Sequence, residues 1–232
     1  MTGPLGRESV ERRVEELLEE MTLHEKAGQC CGTYVGKVGA VRQSLDDLIG
    51  EVETYGLGFA TPFGIASSPH TGPREVAEVA NRIQRHAVEE SRLGIPLVIP
   101  VDATHGHGYV GGATVFPHNL GLAATWDTDL ARRVGGVTAR EVRATGAHQN
   151  YGPTCDVVRD PRWGRTFETF GESPRLVGEM AAAKIRGVDD EDPSVLTTAK
   201  HFPAYGEPER GEDAAPVDVS PLTLRRVFLP PF

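Results

Sequence analysis

Asp102 directly follows the apolar run IPLVIPV, where a carboxylate is costly unless it is paired or meets a polar ligand. Lys200 and His201 close a second such run in SVLTTAKHF, and Arg162 and Arg165 flank Trp163 in RDPRWGRTFETFGES. That last stretch, broken by Pro161 and Gly164, has no helical reading before Ser173 and no strand alternation, so it reads as a loop. Loops held by a rigid scaffold carry function. Together these residues offer a carboxylate, a forked and a point cation, an imidazole and an aromatic wall. Those are the categories that a pyranose, with several hydroxyls and one apolar face, requires. Hydrogen bonds to charged partners contribute roughly 1.5–3 kcal/mol each, enough to fix a sugar's orientation. A salt bridge from Asp102 to Lys200 or Arg165 is the structural alternative, and it is compatible with such a network.

A second pattern competes. His105 and His107 in VDATHGHG form an H-x-H at a strand end, as in metal sites of barrel hydrolases, and Lys200-His201 would have to complete it. No further His–acid pair supplies the remaining ligands. A histidine donating to a backbone carbonyl is therefore the expectation, with no metal and no cofactor.

The elements that must position these groups alternate along the chain. ESVERRVEELLEEM places Val10, Val14, Leu17, Leu18 and Met21 on one helical face, and Thr22 with Glu25 forms a capping box for a second helix. A strand at GLGFA, bounded by Pro62, precedes a long helix from Pro73 to Gly94 and then the strand IPLVIPVD. A helix capped by Asp127 or Thr128 and weakened in its middle by Gly135-Gly136 leads to a strand at AHQNYGP. Ser173 and Ser220, each followed by proline, start two further helices on either side of the strand SVLTTAKHF. Strand, loop and helix recur four times, which predicts parallel βα units. Asp102, the arginines and Lys200-His201 all fall at or just beyond strand C-termini, the substrate face of a (β/α) barrel. A doubly wound sheet would also bind there, but no G-x-G-x-x-G follows a strand.

Composition bounds the remaining choices. The hydrophobic share of 39% with 25% charged residues is that of a globular protein. A net charge of −9 without a basic stripe disfavours nucleic acid as a partner. The N-terminus lacks the apolar run of a signal peptide, and no window reaches the length of a membrane span. Cys30, Cys31 and Cys155 make neither a disulfide framework nor a zinc spacing. A reducing, cytoplasmic location without membrane attachment is the expectation.

NYGPTCDVVRDPRWGRTFETFGESP, VDATHG and TAKHFPAYGEPERGED closely resemble the N-terminal barrel of glycoside hydrolase family 3, in its β-glucosidase branch. The resemblance runs from the first helix to Phe232 and implies a retaining, exo-acting hydrolase that removes single sugars from the non-reducing ends of β-glucosides or oligosaccharides. It makes Asp102, Arg165, Lys200 and His201 substrate-binding residues, with Trp163 and Arg162 bracing their loop and Glu168 and Glu172 fixing it. The N-acetylglucosaminidase branch, with a KHFPGHGDT-like segment, is disfavoured by KHFPAYGEP. Glu212 before Asp213 departs from the basic residue frequent in relatives and leaves the outer subsite open. The resemblance also implies that the two catalytic carboxyl groups lie beyond Phe232. The chain is accordingly expected to be the first half of a TIM-type (β/α)8 barrel, incomplete at its C-terminus, inactive alone, and a partner for a missing downstream half. A non-catalytic sugar-binding fragment and a metal-dependent barrel hydrolase are the alternatives.

Overall fold

Glycine and proline punctuation between apolar runs sets the order of elements. The computed structural model describes residues 7–34, 37–38, 41–42, 44–61 and 72–232. Pro62, the expected strand boundary, lies outside them. The chain divides into two compact units, Met1–Ser67 with Glu78–Ile99 and Ser68–Ala77 with Pro100–Phe232.

The first unit begins with α1 (Arg7–Glu20) and α2 (Leu23–Gln29), followed by β1 (Gly32–Tyr34) and the antiparallel pair β2 (Lys37–Val38) and β3 (Val41–Arg42). Helix α3 (Leu45–Tyr55) and strand β4 (Phe59–Thr61) follow, and helix α4 (Pro73–Arg85) belongs to this unit from Glu78 onward. The capping box predicted at Thr22 forms, with Thr22 N donating to Glu25 Oε2 at 2.8 Å, and Ser44 with Asp47 builds a second one for α3. Strand β4 pairs in parallel with β1, and Phe59 bridges Val98 in parallel as well. Leu48, Val52, Leu57, Ala60, Ile83 and Leu97 form the core.

Two elements depart from expectation. The helix predicted to reach Gly94 stops being α-helical at Arg85 and continues as one wide turn, His86–Glu90, closed by Ser91 N donating to His86 O. The expected buried face of α1 is only partly covered: Leu17 and Met21 are half-buried, whereas Val10, Val14 and Leu18 are exposed.

The second unit holds β5 (Pro100–Val101), α5 (Asn119–Ala123), α6 (Thr128–Ala144), β6 (Gln149–Asn150), α7 (Pro174–Glu191), β7 (Leu196–Thr197) and α8 (Pro221–Thr223). The strands form a parallel sheet in the order β5-β6-β7, with Val101 opposite Asn150 and Asn150 opposite Thr197. Their ladders are short because proline punctuates them, Pro100 inside β5 and Pro153 just beyond β6, and neither has an N–H to donate. Asp127 is the cap of α6, its Oδ1 accepting from Leu130 N at 2.8 Å. Ser173 and Ser220 cap α7 and α8 as predicted. Phe170, Val177, Met180 and Phe228 are buried in the core of this unit.

Gly135 does not simply weaken α6. A Cβ there would run into the backbone oxygen of Lys184, and one on Gly187 of α7 would run into that of Arg132. Two missing side chains thus let α6 and α7 approach backbone to backbone. Crowding a packed interior costs typically about 1–3 kcal/mol, so Gly187→Ala is expected to lower stability by about 2 kcal/mol. Gly50 in α3 has none of the described residues within 4 Å of a built Cβ. Gly50→Ala should instead raise stability by roughly 0.5–1 kcal/mol, the helix-propensity gain. Chemical denaturation of both variants checks the pair; equal effects would contradict the packing role.

His107 is fully buried, its Nε2 at 2.8 Å from Thr145 Oγ1. That hydroxyl donates to Val142 O, so it accepts from the ring. Burial pushes the imidazole down to about 4 from its ordinary 6.5. The unfolded chain therefore takes up a proton that the folded one refuses between those values. The associated stability is present above pH 6.5 and is lost as pH falls toward 4. Melting temperature is expected to drop between pH 7 and 4.5, and His107→Gln should flatten that slope; parallel slopes would reject it.

Candidate functional site

Asp102 comes immediately after β5, and Lys200 lies three residues past β7. Lys200 Nζ donates to Asp102 Oδ1 at 2.6 Å, with 12% and 17% of the two side chains exposed. Of the two cations considered for Asp102, the structure selects Lys200. The backbone holds both ends. Lys200 N donates to Pro153 O at 3.1 Å and Thr154 bridges Lys200 in parallel, while Asn150 accepts from Ala103 N and donates to Ala103 O through its side chain. The residue after β5 and the segment after β7 are thus both fixed from β6 and its continuation.

His201 follows Lys200 across a cis peptide. Its Nδ1 lies 2.8 Å from Asp156 Oδ2, which also accepts from the His201 backbone N at 3.2 Å. Asp156 is fully buried at its side chain. A carboxylate only accepts, so the proton sits on Nδ1 and Nε2 remains for an outside partner. The His201 side chain is 30% exposed, which keeps Nε2 within reach of solvent or ligand.

Arg165 forks onto Glu168, Nε to Oε1 and Nη2 to Oε2 both at 2.8 Å. Its guanidinium carbon lies 5.5 Å from the centre of the Tyr205 ring. Tyr205 also meets the edges of Trp163 and His201, with ring centres 5.0 and 4.7 Å away. Asp213 Oδ1 accepts from Trp163 Nε1 at 2.9 Å and from Tyr205 Oη at 2.6 Å. Trp163 is 1% exposed, so it packs inside the loop and does not form a sugar-stacking wall. Arg162, 69% exposed at its side chain, forks onto Asp160 two residues back and braces the loop from outside.

The electrostatics tie these residues into one site. Burial alone would raise the Glu168 carboxyl, but the Arg165 fork, with the charge of Lys200, holds it below its ordinary value. Asp213 is likewise held low by its bonds from Tyr205 and Trp163. Burial raises Tyr109, and the charges of Asp102 and Glu168 raise it further; Tyr151 is raised by burial and by Asp102. All four predicted residues therefore share one electrostatic neighbourhood, centred on Asp102 and Glu168.

The histidine pair resolves as a structural feature at His105, whose Nδ1 donates to Phe116 O at 2.9 Å. His107 is the core residue described above. Among the described residues no group of three or more His, Cys, Asp and Glu is placed to hold a metal ion.

Sequence reasoning passed over several participants. Tyr205 sits four residues after His201 and entered only as a departure from another branch's motif; its position as the ring shared by Arg165, His201 and Trp163 is tertiary. Tyr109, in the loop after β5, and Tyr151, just past β6, are both within the field of the Asp102 charge. Asp156 carried the available signal, an acid inside the apolar run CDVV. Lys184, 4% exposed on α7, had a similar one: a lysine among the small and apolar residues of GEMAAAKIRG.

Known proteins share much of this sequence and its fold. The periplasmic beta-glucosidase of Salmonella typhimurium is 35% identical over 236 residues, covering 99% of this chain and 28% of that protein. The lysosomal beta glucosidase of Dictyostelium discoideum is 32% identical, covering 94% of this chain and 29% of that protein. The exo-1,3/1,4-beta-glucanase from a Pseudoalteromonas species superposes with a TM-score of 0.82 at 34% identity, over 96% of this chain and 28% of that one. The chain thus spans less than a third of the length of these relatives, and its parallel strands and helices make it α/β, the half of a TIM-type barrel. Residues 23–232 match the glycosyl hydrolase family 3 N terminal domain, and the chain belongs to that family.

Proposed function

We propose that this chain supplies the glycone-binding side of a retaining, exo-acting glycoside hydrolase of the β-glucosidase type. The observation that carries the reading is the half-buried Lys200–Asp102 pair, set beside His201 and the Arg165–Glu168 fork at strand ends. Asp102 keeps acceptor capacity beyond the one bond from Lys200, enough for sugar hydroxyls. Lys200 and Arg165 supply donors of two geometries to the same ring, and His201 Nε2 supplies an acceptor for a sugar hydroxyl. The relatives named β-glucosidase and exo-β-glucanase support this substrate class.

Retaining hydrolysis needs two carboxyl groups about 5–5.5 Å apart, one as nucleophile and one as acid and base. The acids at this site each hold a fixed partner: Asp102 has Lys200, Asp156 has His201, Glu168 has Arg165 and Asp213 has Trp163 with Tyr205. Glu168 and Asp213, both held low, suit acceptors and not a proton donor. We therefore assign binding and orientation to this chain and the bond-breaking carboxyl pair to residues outside it.

Arg165→Ala in the intact protein is expected to weaken glucose binding by about 10- to 150-fold, the loss of one charged, forked donor. Arg162→Ala, which removes an exposed guanidinium forked onto Asp160, should stay within about twofold. Competition by glucose against an aryl β-glucoside reads both, and equal effects at the two positions would reject the assignment.

A further inference from the structure

Lys184 is buried in the middle of α7 with, among the described residues, no carboxylate in its hydrogen-bonding shell. Its Nζ donates to Thr104 O at 2.7 Å and to Asn119 Oδ1 at 3.0 Å, both neutral oxygens. Its exposure is 4% and that of Asn119 is 1%. Neighbours on the same helix face are Val177, Met180, Ala181 and Val188, which gain nothing from an ammonium. A buried cation without an ion partner costs several kcal/mol of desolvation, and a well-packed apolar side chain there is often neutral or better. Burial lowers its proton affinity, to about 8 from the ordinary 10.5, so it remains cationic at neutral pH. A group this unfavourable for folding invites a role outside folding.

Its two acceptors lead to the two loops of the site. Thr104 stands two residues after Asp102, and the intervening Ala103 is clamped by Asn150. On the other side Asn119 Nδ2 donates to Glu168 O at 2.7 Å. Glu168 in turn holds the Arg165 fork. Backbone and side chain thus form one path: Asp102 loop, Lys184, Asn119, Glu168, Arg165.

We propose that Lys184 is a positioning residue for the sugar site, its ammonium holding the Asp102 loop and the Arg165–Glu168 loop at a fixed separation. An ammonium suits this because three donors on a flexible stem can reach two carbonyl-type oxygens from separate loops. The inference rests on the reading of Asp102 and Arg165 as sugar ligands. Lys184 is buried with its Nζ on Thr104 O and Asn119 Oδ1, so its effect reaches affinity through geometry, where a displacement near 1 Å is costly.

The test is glucose affinity of the folded intact protein, measured by competition and by calorimetry, with melting recorded in parallel. Lys184→Met is expected to weaken glucose binding about tenfold in protein that still melts cooperatively. Asn119→Asp keeps an oxygen for the ammonium but removes the donor to Glu168 O, and it should weaken binding by a similar factor. Joined, the two substitutions should cost little more than either alone, because they cut the same path. Parent affinity in folded Lys184→Met would overturn the proposal. Should that variant fail to fold, parent affinity in Asn119→Asp overturns it instead. Arg165→Ala run alongside separates the two readings: if it too leaves glucose binding unchanged, the sugar site itself is misassigned. If it alone loses binding, only the role of Lys184 falls.

Discussion

The Lys200–Asp102 contact is the constraint on which the site depends. It joins the residue just past β5 to the segment just past β7, 98 positions apart in sequence. Both side chains are mostly out of water, at 12% and 17% exposure, so the pair gives up hydration and regains little net stability from its Coulomb energy. Its effect is geometric. With Lys200 fixed, the next residue must be His201, and Asp156 beneath it sets which ring nitrogen carries the proton. Tyr205 then packs on His201 and carries Arg165 over its outer face. Each member is placed by the previous one, and none by its own loop alone.

The scaffold makes this order possible. Strands of two residues cannot hold charged loops by ladder bonds alone, and this sheet relies on side chains to extend them. Asn150 binds both backbone groups of Ala103, and Gln149 Nε2 donates to Thr198 Oγ1 at 2.9 Å. Behind the sheet, α6 and α7 meet through Gly135 and Gly187, which fixes the depth at which Lys184 enters the core. Glycines that lower helix propensity locally thereby set a tertiary distance that larger residues would not allow.

The charged residues at strand ends were legible because each broke a pattern: Asp102 ended an apolar run, Lys200-His201 ended another, and two arginines stood on a loop with no period. Capping boxes and Ser-Pro starts were legible for the same local reason, as Thr22, Ser173 and Ser220 demonstrate. Partners were not legible. Nothing local in KHFPAYGEP says that Tyr205 meets His201 edge-on, or in GEMAAAKIRG that Lys184 reaches Thr104 eighty positions earlier. The end of α4 was misplaced because Gly94, in the left-handed region at φ +60, is a stop signal that lies beyond the wide turn already closing the helix. The glycines of α6 were read as a cost in propensity, since their benefit lies on α7.

The central claim is that Asp102, Arg165, Lys200 and His201 grip one sugar ring. A crystal structure of the intact protein soaked with glucose tests it most directly. The account predicts a single pyranose with hydroxyls within hydrogen-bond distance of Asp102, Lys200 Nζ, His201 Nε2 and the Arg165 guanidinium, and with Trp163 still buried beneath the loop. A glucose bound without touching Asp102 and Lys200, or stacked on an exposed Trp163, would contradict it.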